Sequence, residues 1–297
     1  MPRKKKAPEL TFQQHIADYL AREHGYGAMT QADITDKTHF IAEETLWAFL
    51  QATQSDTLKK LTVEYGTDAR QEVFKELRKA LEHTPLWVLL RQGLPVRGLE
   101  FRLFYPRPRS AASAATAKDG ENRITFRHNF YFGDANHEID FVLFLNGLPI
   151  VALELKHEAN QNVHDAVAQF TKRDHKQRIF QHPFLYLAAD TSEVKAATDP
   201  RREENFRWHN TGLKNPEPEN ASEYPVEFLY REVLSREHLL EALSSFLVRV
   251  PARDAEDDKP ARPAATLFPR YHQSRLVRRV AEDITAHFIT TGDIGKK

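Results

Sequence analysis

Residues 137–156 read HEIDFVLFLNGLPIVALELK, two apolar runs rich in branched side chains on either side of Asn146-Gly147-Leu148. The pattern is strand, turn, strand. Three charges interrupt it where a core is expected: Asp140, Glu154 and Lys156. Charged side chains are rarely buried unless they pair or hold a metal, so this hairpin carries more than structure. Alternation along a strand puts Glu154 and Lys156 on one face. With a three-residue loop of Asn146, Gly147 and Leu148, Leu145 faces Pro149 and Asp140 falls directly opposite Glu154. With a two-residue loop Asp140 faces Leu153, and Glu154 turns to the other side. A shared face for the two acids therefore requires the three-residue loop or an equivalent bulge, with Gly147 supplying a left-handed residue. Pro149 lacks an amide donor and belongs at a strand start, bulge or edge.

Two acids and a lysine on one sheet face point to metal-dependent phosphodiester cleavage. That reaction needs a divalent cation to polarise phosphate oxygens and to lower the pKa of bound water. Mg²⁺ prefers hard oxygen ligands and keeps several waters, so one or two carboxylates suffice. Asp140 and Glu154 are the candidate ligands, with the backbone carbonyl of Leu155 as a third. Lys156 is the candidate to orient water or to stabilise developing charge. Gln169, on the helix that follows, is the candidate to brace Lys156 or the phosphate. The acid-x-Lys tripeptide alone is unspecific: Glu154, Asp174, Glu193 and Asp257 each precede a lysine by two. Only Glu154 lies in an apolar strand with another acid one hairpin upstream. The structural alternative is an Asp–Lys–Glu ion-pair cluster at a sheet end. Lys172, Arg173, Lys176 and Arg178 form a basic run that suits a DNA backbone and equally a solvated helix face. Arg201, Arg202 and Arg207, with Trp208 nearby, read as structural.

Composition sets the background. The chain has 297 residues, 41% hydrophobic and 28% charged, the signature of a globular protein of one large or two smaller domains. Lys+Arg and Asp+Glu are both 42, so overall charge carries no argument for nucleic acid. The absence of cysteine excludes disulfides and thiolate metal sites. No apolar run approaches the roughly 18 residues of a membrane span. The start, MPRKKKAPEL, is basic without a following apolar region, so a cytoplasmic protein is expected. His137, His157 and His164 flank the hairpin site, but most of the 14 histidines are expected at the surface. No HExxH, GxSxG, GxGxxG after a strand, or GxxxxGK[ST] motif is present.

The rest of the chain reads as mixed α/β: a central mixed sheet flanked by helices, with an N-terminal helical region. Helical spacing predicts helices over 10–24, 39–61 and 67–92, and strands over 99–105 and 123–132. A small-residue loop, PRPRSAASAATAKDGEN, separates these strands. After the hairpin come a helix at about 161–172 and a strand at 184–189. An amphipathic helix over 235–249 precedes the proline- and charge-rich linker 250–266, and a basic helix follows LFPRYHQ. The expected division is 1–249, with helices to about residue 95 and the α/β core after it, then the linker 250–266, then 267–297 as the start of a further, truncated domain.

The run DFVLFLNGLPIVALELK resembles the nuclease motif in the restriction (R) subunit of type I restriction-modification enzymes, a PD-(D/E)xK-type site. TFQQHIADYLAREHGY, AFLQATQ, AVAQFTKRD, FLYLAADTSEV, FRWHNTG and LFPRYHQSRLVRRV resemble further landmarks of that family, in order. The resemblance implies a restriction-endonuclease-like core acting on double-stranded DNA with Mg²⁺, with Asp140 and Glu154 as metal-binding acids and Lys156 as catalytic lysine. Gln169 would be the glutamine of the family's downstream motif. It also implies methyltransferase (M) and specificity (S) subunits as partners, and, in a full-length subunit only, an ATP-dependent translocase in which Gln273 would bind adenine. Three positions depart from the pattern: Gln13 where related chains often have glutamate, Arg173 where tyrosine is common, and Ile139 in place of the proline before the first acid. Two alternatives accompany this reading: a stand-alone DNA-repair nuclease of the same chemistry, and a DNA- or subunit-docking module with an impaired site.

Overall fold

The computed structural model describes residues 7–107, 115–133, 137–157, 159, 161–254 and 264–291. The basic start, the middle of the small-residue loop, residues 255–263 of the expected linker and the final residues of the chain lie outside them. The helices α1 (Ala7–Arg22), α2 (Glu43–Thr53), α3 (Ser55–Tyr65), α4 (Ala69–Leu81) and α5 (Leu86–Gln92) come first, with the short β1 (Gly27–Ala28) after α1. A small hairpin, β2 (Leu94–Val96) and β3 (Leu99–Phe101), and the short α6 (Ala115–Gly120) lead into β4 (Ile124–Phe132), β5 (His137–Leu145) and β6 (Leu148–Leu155). Then follow α7 (Val163–Thr171), β7 (Leu185–Ala189), β8 (Val194–Ala197) and β9 (Arg207–Trp208). The helix α8 (Arg236–Glu241), the pair β10 (Val248–Val250) and β11 (Ala265–Leu267), and α9 (Tyr271–Thr291) complete the described chain.

The main sheet has the order β1-β4-β5-β6-β7-β8-β9. It is mixed: β4, β5 and β6 run antiparallel, β6 and β7 run parallel with α7 as the crossover, and β8 and β9 turn back antiparallel. Helices cover both faces, which is why β5 and β6 are nearly continuous apolar runs rather than alternating ones. Phe141, Leu143, Val151, Leu153, Leu185 and Leu187 face the N-terminal helices and α8. Val142, Phe144, Ala152, Tyr186 and Ala188 face α7, whose Val163, Val167 and Phe170 are fully buried against them. Each of those three side chains contributes about 1.5–3 kcal/mol by leaving water. This is the α/β architecture expected from the sequence.

Element boundaries differ where side chains intervene. The expected helix 39–61 starts at Glu43 and is cut at Gln54, whose side-chain amide pairs with the backbone of Arg102 as a strand would, through bonds of 2.7 and 2.8 Å. The expected helix 67–92 is cut before Pro85, where the preceding residue is disfavoured in helix and an amide donor is missing. Of the strand expected at 99–105 only Leu99–Phe101 forms, outside the main sheet. The helix expected over 235–249 ends regularly at Glu241, widens into a π-type turn and gives way to β10.

The central hairpin corrects the loop but keeps its consequence. Asn146 and Gly147 both have positive φ, 52° and 82°, and form a two-residue turn in which Leu145 faces Leu148 and Phe144 faces Pro149. The expected partner of Leu145 was Pro149. The register then shifts between Leu143 and Phe144, so that Leu143 faces Val151 and Phe141 faces Leu153. Ile150 is the extra residue of a bulge, and Pro149, with no donor to lose, stands beside it. The bulge undoes the shift a two-residue turn imposes and brings Asp140 level with Glu154.

The turn itself is buried. Asn146 Nδ2 donates to Leu103 O at 2.9 Å, its Oδ1 accepts from Arg123 N at 2.8 Å, and Gly147 O accepts from Ala42 N at 2.9 Å at the start of α2. The hairpin tip is thus held by elements far away in sequence.

Candidate active site

Asp140, Glu154 and Lys156 sit at the end of the hairpin remote from the turn, on the α7 side of the sheet, and are 2%, 0% and 3% exposed. Burial of this degree is costly for an ion unless partners replace water. Asp140 Oδ2 accepts from Leu155 N at 2.6 Å, a contact across the two strands that exists only because the bulge aligned them. Glu154 Oε2 accepts from Gln169 Nε2 at 2.7 Å, and Glu154 Oε1 lies 3.4 Å from Arg173 Nη2. Lys156 Nζ donates to Leu155 O at 2.7 Å, while its own amide donates to Ala189 O on β7 at 2.8 Å.

The sequence sets α7 in the orientation that makes these contacts. Asn162 caps the helix by accepting from His164 N and Asp165 N, and Asp165 Oδ2 accepts in turn from Asn162 N. Asp190, at the end of β7, accepts from Val163 N at 2.8 Å and from the amides of Ser192 and Glu193, tying the helix start to the sheet. Gln169 and Arg173, one turn apart, then reach Glu154 from the same side.

Two positions that the resemblance singled out as departures, Gln13 and Arg173, stand beside the candidate site through contacts that sequence reasoning did not give. Gln13 of α1, 3% exposed, donates through Nε2 to Asp140 O at 3.0 Å and to Asn129 Oδ1 at 3.1 Å. Asn129 has a φ of 51°, and the β4–β5 ladder skips the pair it would form with Asp140. Gln13 supplies the donor that the skipped pair withholds. Arg173 was read as a DNA contact and as a departure from a family pattern, yet its side chain is only 17% exposed. It bonds to Glu138 O and lies 5.5 Å from the ring centroid of Phe132. No local pattern announces either contact, since the partners are 127 and 19–35 residues away.

The other candidates separate. In the basic run Lys172 and Lys176 are exposed, whereas Arg178 is ion-paired with Glu82 and bonded to Gln181. Gln273 lies on the first turn of α9, where its Oε1 accepts from Arg270 N at 2.9 Å, and it lines a cavity of about 980 Å³ at the β8–β9 edge. That cavity does not include the hairpin carboxylates. Arg201 is clamped by Asp199 at 2.6 and 2.8 Å, as a structural reading expects. His137 is exposed and the His164 side chain half-exposed. No helix of the described residues is long and apolar enough to cross a membrane.

Among the described residues no three His, Cys, Asp or Glu side chains cluster closely enough to hold a metal ion. What the hairpin offers is a smaller all-oxygen donor set, the carboxylates of Asp140 and Glu154 and the Leu155 carbonyl. Such a set fits Mg²⁺, which completes its shell with water, and does not fit a softer ion that needs nitrogen or sulfur.

The fold is an α/β arrangement compatible with a restriction-endonuclease-like core, with an acidic pair and a lysine on its central hairpin. The chain belongs to the family of the type I restriction enzyme R protein N terminus, whose sequence model matches residues 7–205. It is also 25% identical, over 170 residues, to a protein of Methanocaldococcus jannaschii named as a type I restriction enzyme endonuclease subunit. The match covers 56% of this chain and 15% of that relative.

Proposed function

We propose that this chain is the endonuclease part of a type I restriction R subunit and that it hydrolyses phosphodiester bonds of double-stranded DNA with Mg²⁺. The observation that carries the reading is the bulge-corrected hairpin, which brings two buried carboxylates and a lysine to one sheet face. Family membership supports the same reading.

Asp140 and Glu154 would hold the ion, together with the Leu155 carbonyl once the Lys156 ammonium moves off it. When bound, Mg²⁺ supplies polarisation of the phosphate and a water of lowered pKa. Gln169 holds one oxygen of Glu154 and so fixes the carboxylate's orientation. The Leu155 amide does the same for Asp140. Lys156 would steady a hydroxide or the negative charge that builds on the phosphate. Exposed Lys172 and Lys176, beyond the end of α7, would meet the DNA backbone beside the site. In a full-length subunit this nuclease would work with ATP-driven translocation, with Gln273 contacting adenine, and with methyltransferase and specificity subunits, in the cytoplasm. The division into residues 1–249, a linker at 250–266 and the start of a translocase at 267–297 belongs to the same proposal.

Nicking of supercoiled plasmid tests it. Cleavage should require Mg²⁺ and fall at least about 100-fold in Asp140→Asn and Lys156→Met, with circular dichroism unchanged. Nicking that persists in Asp140→Asn overturns the assignment. The impaired-site alternative draws on one observation, the Arg173 guanidinium lying against Glu154. It predicts no nicking and no effect of Asp140→Asn on cation binding.

A further inference from the structure

Glu154 is fully buried, and its two oxygens have different partners. Gln169 holds Oε2 with a neutral amide, whereas Arg173 approaches Oε1 with a full positive charge at 3.4 Å. The four innermost charges, Asp140, Glu154, Lys156 and Arg173, sum to zero. Glu138, two residues before Asp140 on β5, stands at the rim and adds negative charge there. A divalent ion entering between the two carboxylates brings two positive charges to a place already balanced by two. The guanidinium has other holds, the Glu138 carbonyl and the face of Phe132, neither of which involves Glu154. Its five donors let it keep those while giving up the carboxylate.

We propose that Arg173 is an internal counter-ion that holds Glu154 when no divalent cation is bound and competes with that cation for Oε1. The inference rests on the reading of Asp140 and Glu154 as a cation site. Arg173 is then a positioning residue: it holds a buried carboxylate in place, and it sets how much free cation is needed to displace it. Electrostatic competition of this kind is large. An opposite charge within about 4–6 Å alters a carboxylate's affinity for a proton by roughly 10- to 1,000-fold, and a competing metal ion feels the same field.

Calcium titration by calorimetry tests this, because Ca²⁺ takes oxygen ligands and can be followed without turnover. Wild type is compared with Arg173→Gln, which keeps length and donors but loses the charge, and with Arg173→Lys, which keeps the charge. Binding should tighten about tenfold in Arg173→Gln and stay near wild type in Arg173→Lys. Melting in EDTA should fall in Arg173→Gln and recover in saturating Ca²⁺. Unchanged or weaker binding in Arg173→Gln, with melting lowered equally in EDTA and Ca²⁺, shows a merely structural arginine and overturns the proposal. The two failures are distinguishable. Binding that is abolished by Asp140→Asn but indifferent to Arg173→Gln sinks the counter-ion alone. Absence of binding in both wild type and Arg173→Gln sinks the cation site with it.

Discussion

Replacing Gly147 with alanine tests the hairpin from which the site is built. Gly147 has a φ of 82°, and a Cβ there would lie 2.4 Å from the carbonyl oxygen of Ala42 and 3.1 Å from Leu46 N. Both obstacles are backbone at the start of α2, so neither can swing aside. Gly98 provides the matched control, with a φ of 78° and nothing within 4 Å of its Cβ position. An alanine held in the left-handed region costs about 1–2 kcal/mol at either site. At Gly147 the turn must also lift from α2, weakening the Ala42 N to Gly147 O bond for about 1 kcal/mol more. Displacing well-packed neighbours adds roughly 1–3 kcal/mol. Gly147→Ala should therefore lose about 3–6 kcal/mol, and Gly98→Ala about 1–2 kcal/mol. Urea denaturation followed by circular dichroism measures both. Losses equal within about 0.5 kcal/mol would refute the turn as described, since the clash with α2 is the sole difference claimed.

Further expectations concern the supports of the site and the histidines. Gln13→Glu sets a carboxylate against Asp140 O and Asn129 Oδ1, both acceptors, and should cost about 2–4 kcal/mol in EDTA; a melting temperature equal to wild type would contradict the geometry. Asp190→Ala removes the acceptor for three backbone amides and should cost about 2–4 kcal/mol, read by thermal denaturation, with an unchanged midpoint counting against its capping role. Burial lowers the pKa of His182 to about 3, aided by His39 and Arg178, and of His209 to about 4, aided by His272. Below the ordinary value of 6.5 the unfolded chain takes up protons that these folded histidines refuse, so stability falls as pH drops from about 6.5 towards 4 for His209 and towards 3 for His182. From pH 7 to 5 the loss is about 2 kcal/mol per histidine, and His209→Phe should remove its share of the slope in urea titrations at the two pH values.

The α/β class, the hairpin and the identity of its three charged residues were legible in residues 137–156, because strand periodicity and the scarcity of buried charge are local rules. The need for a three-residue loop or an equivalent bulge was legible too, as a condition on register. What local rules could not decide was how that condition would be met. Asn-Gly favours a two-residue turn, and only the packing of that turn on α2, together with an extra residue at Ile150, reconciles it with Asp140 opposite Glu154. The contacts that Gln13 and Arg173 make with the buried charges were likewise beyond local rules. Gln13 reaches Asp140 across 127 positions, and Arg173 comes to Glu154 because a capped helix returns over the sheet at one angle. Side-chain alternation depends on neighbours along the chain, whereas the electrostatic balance of a buried site depends on whatever the fold brings within a few ångströms.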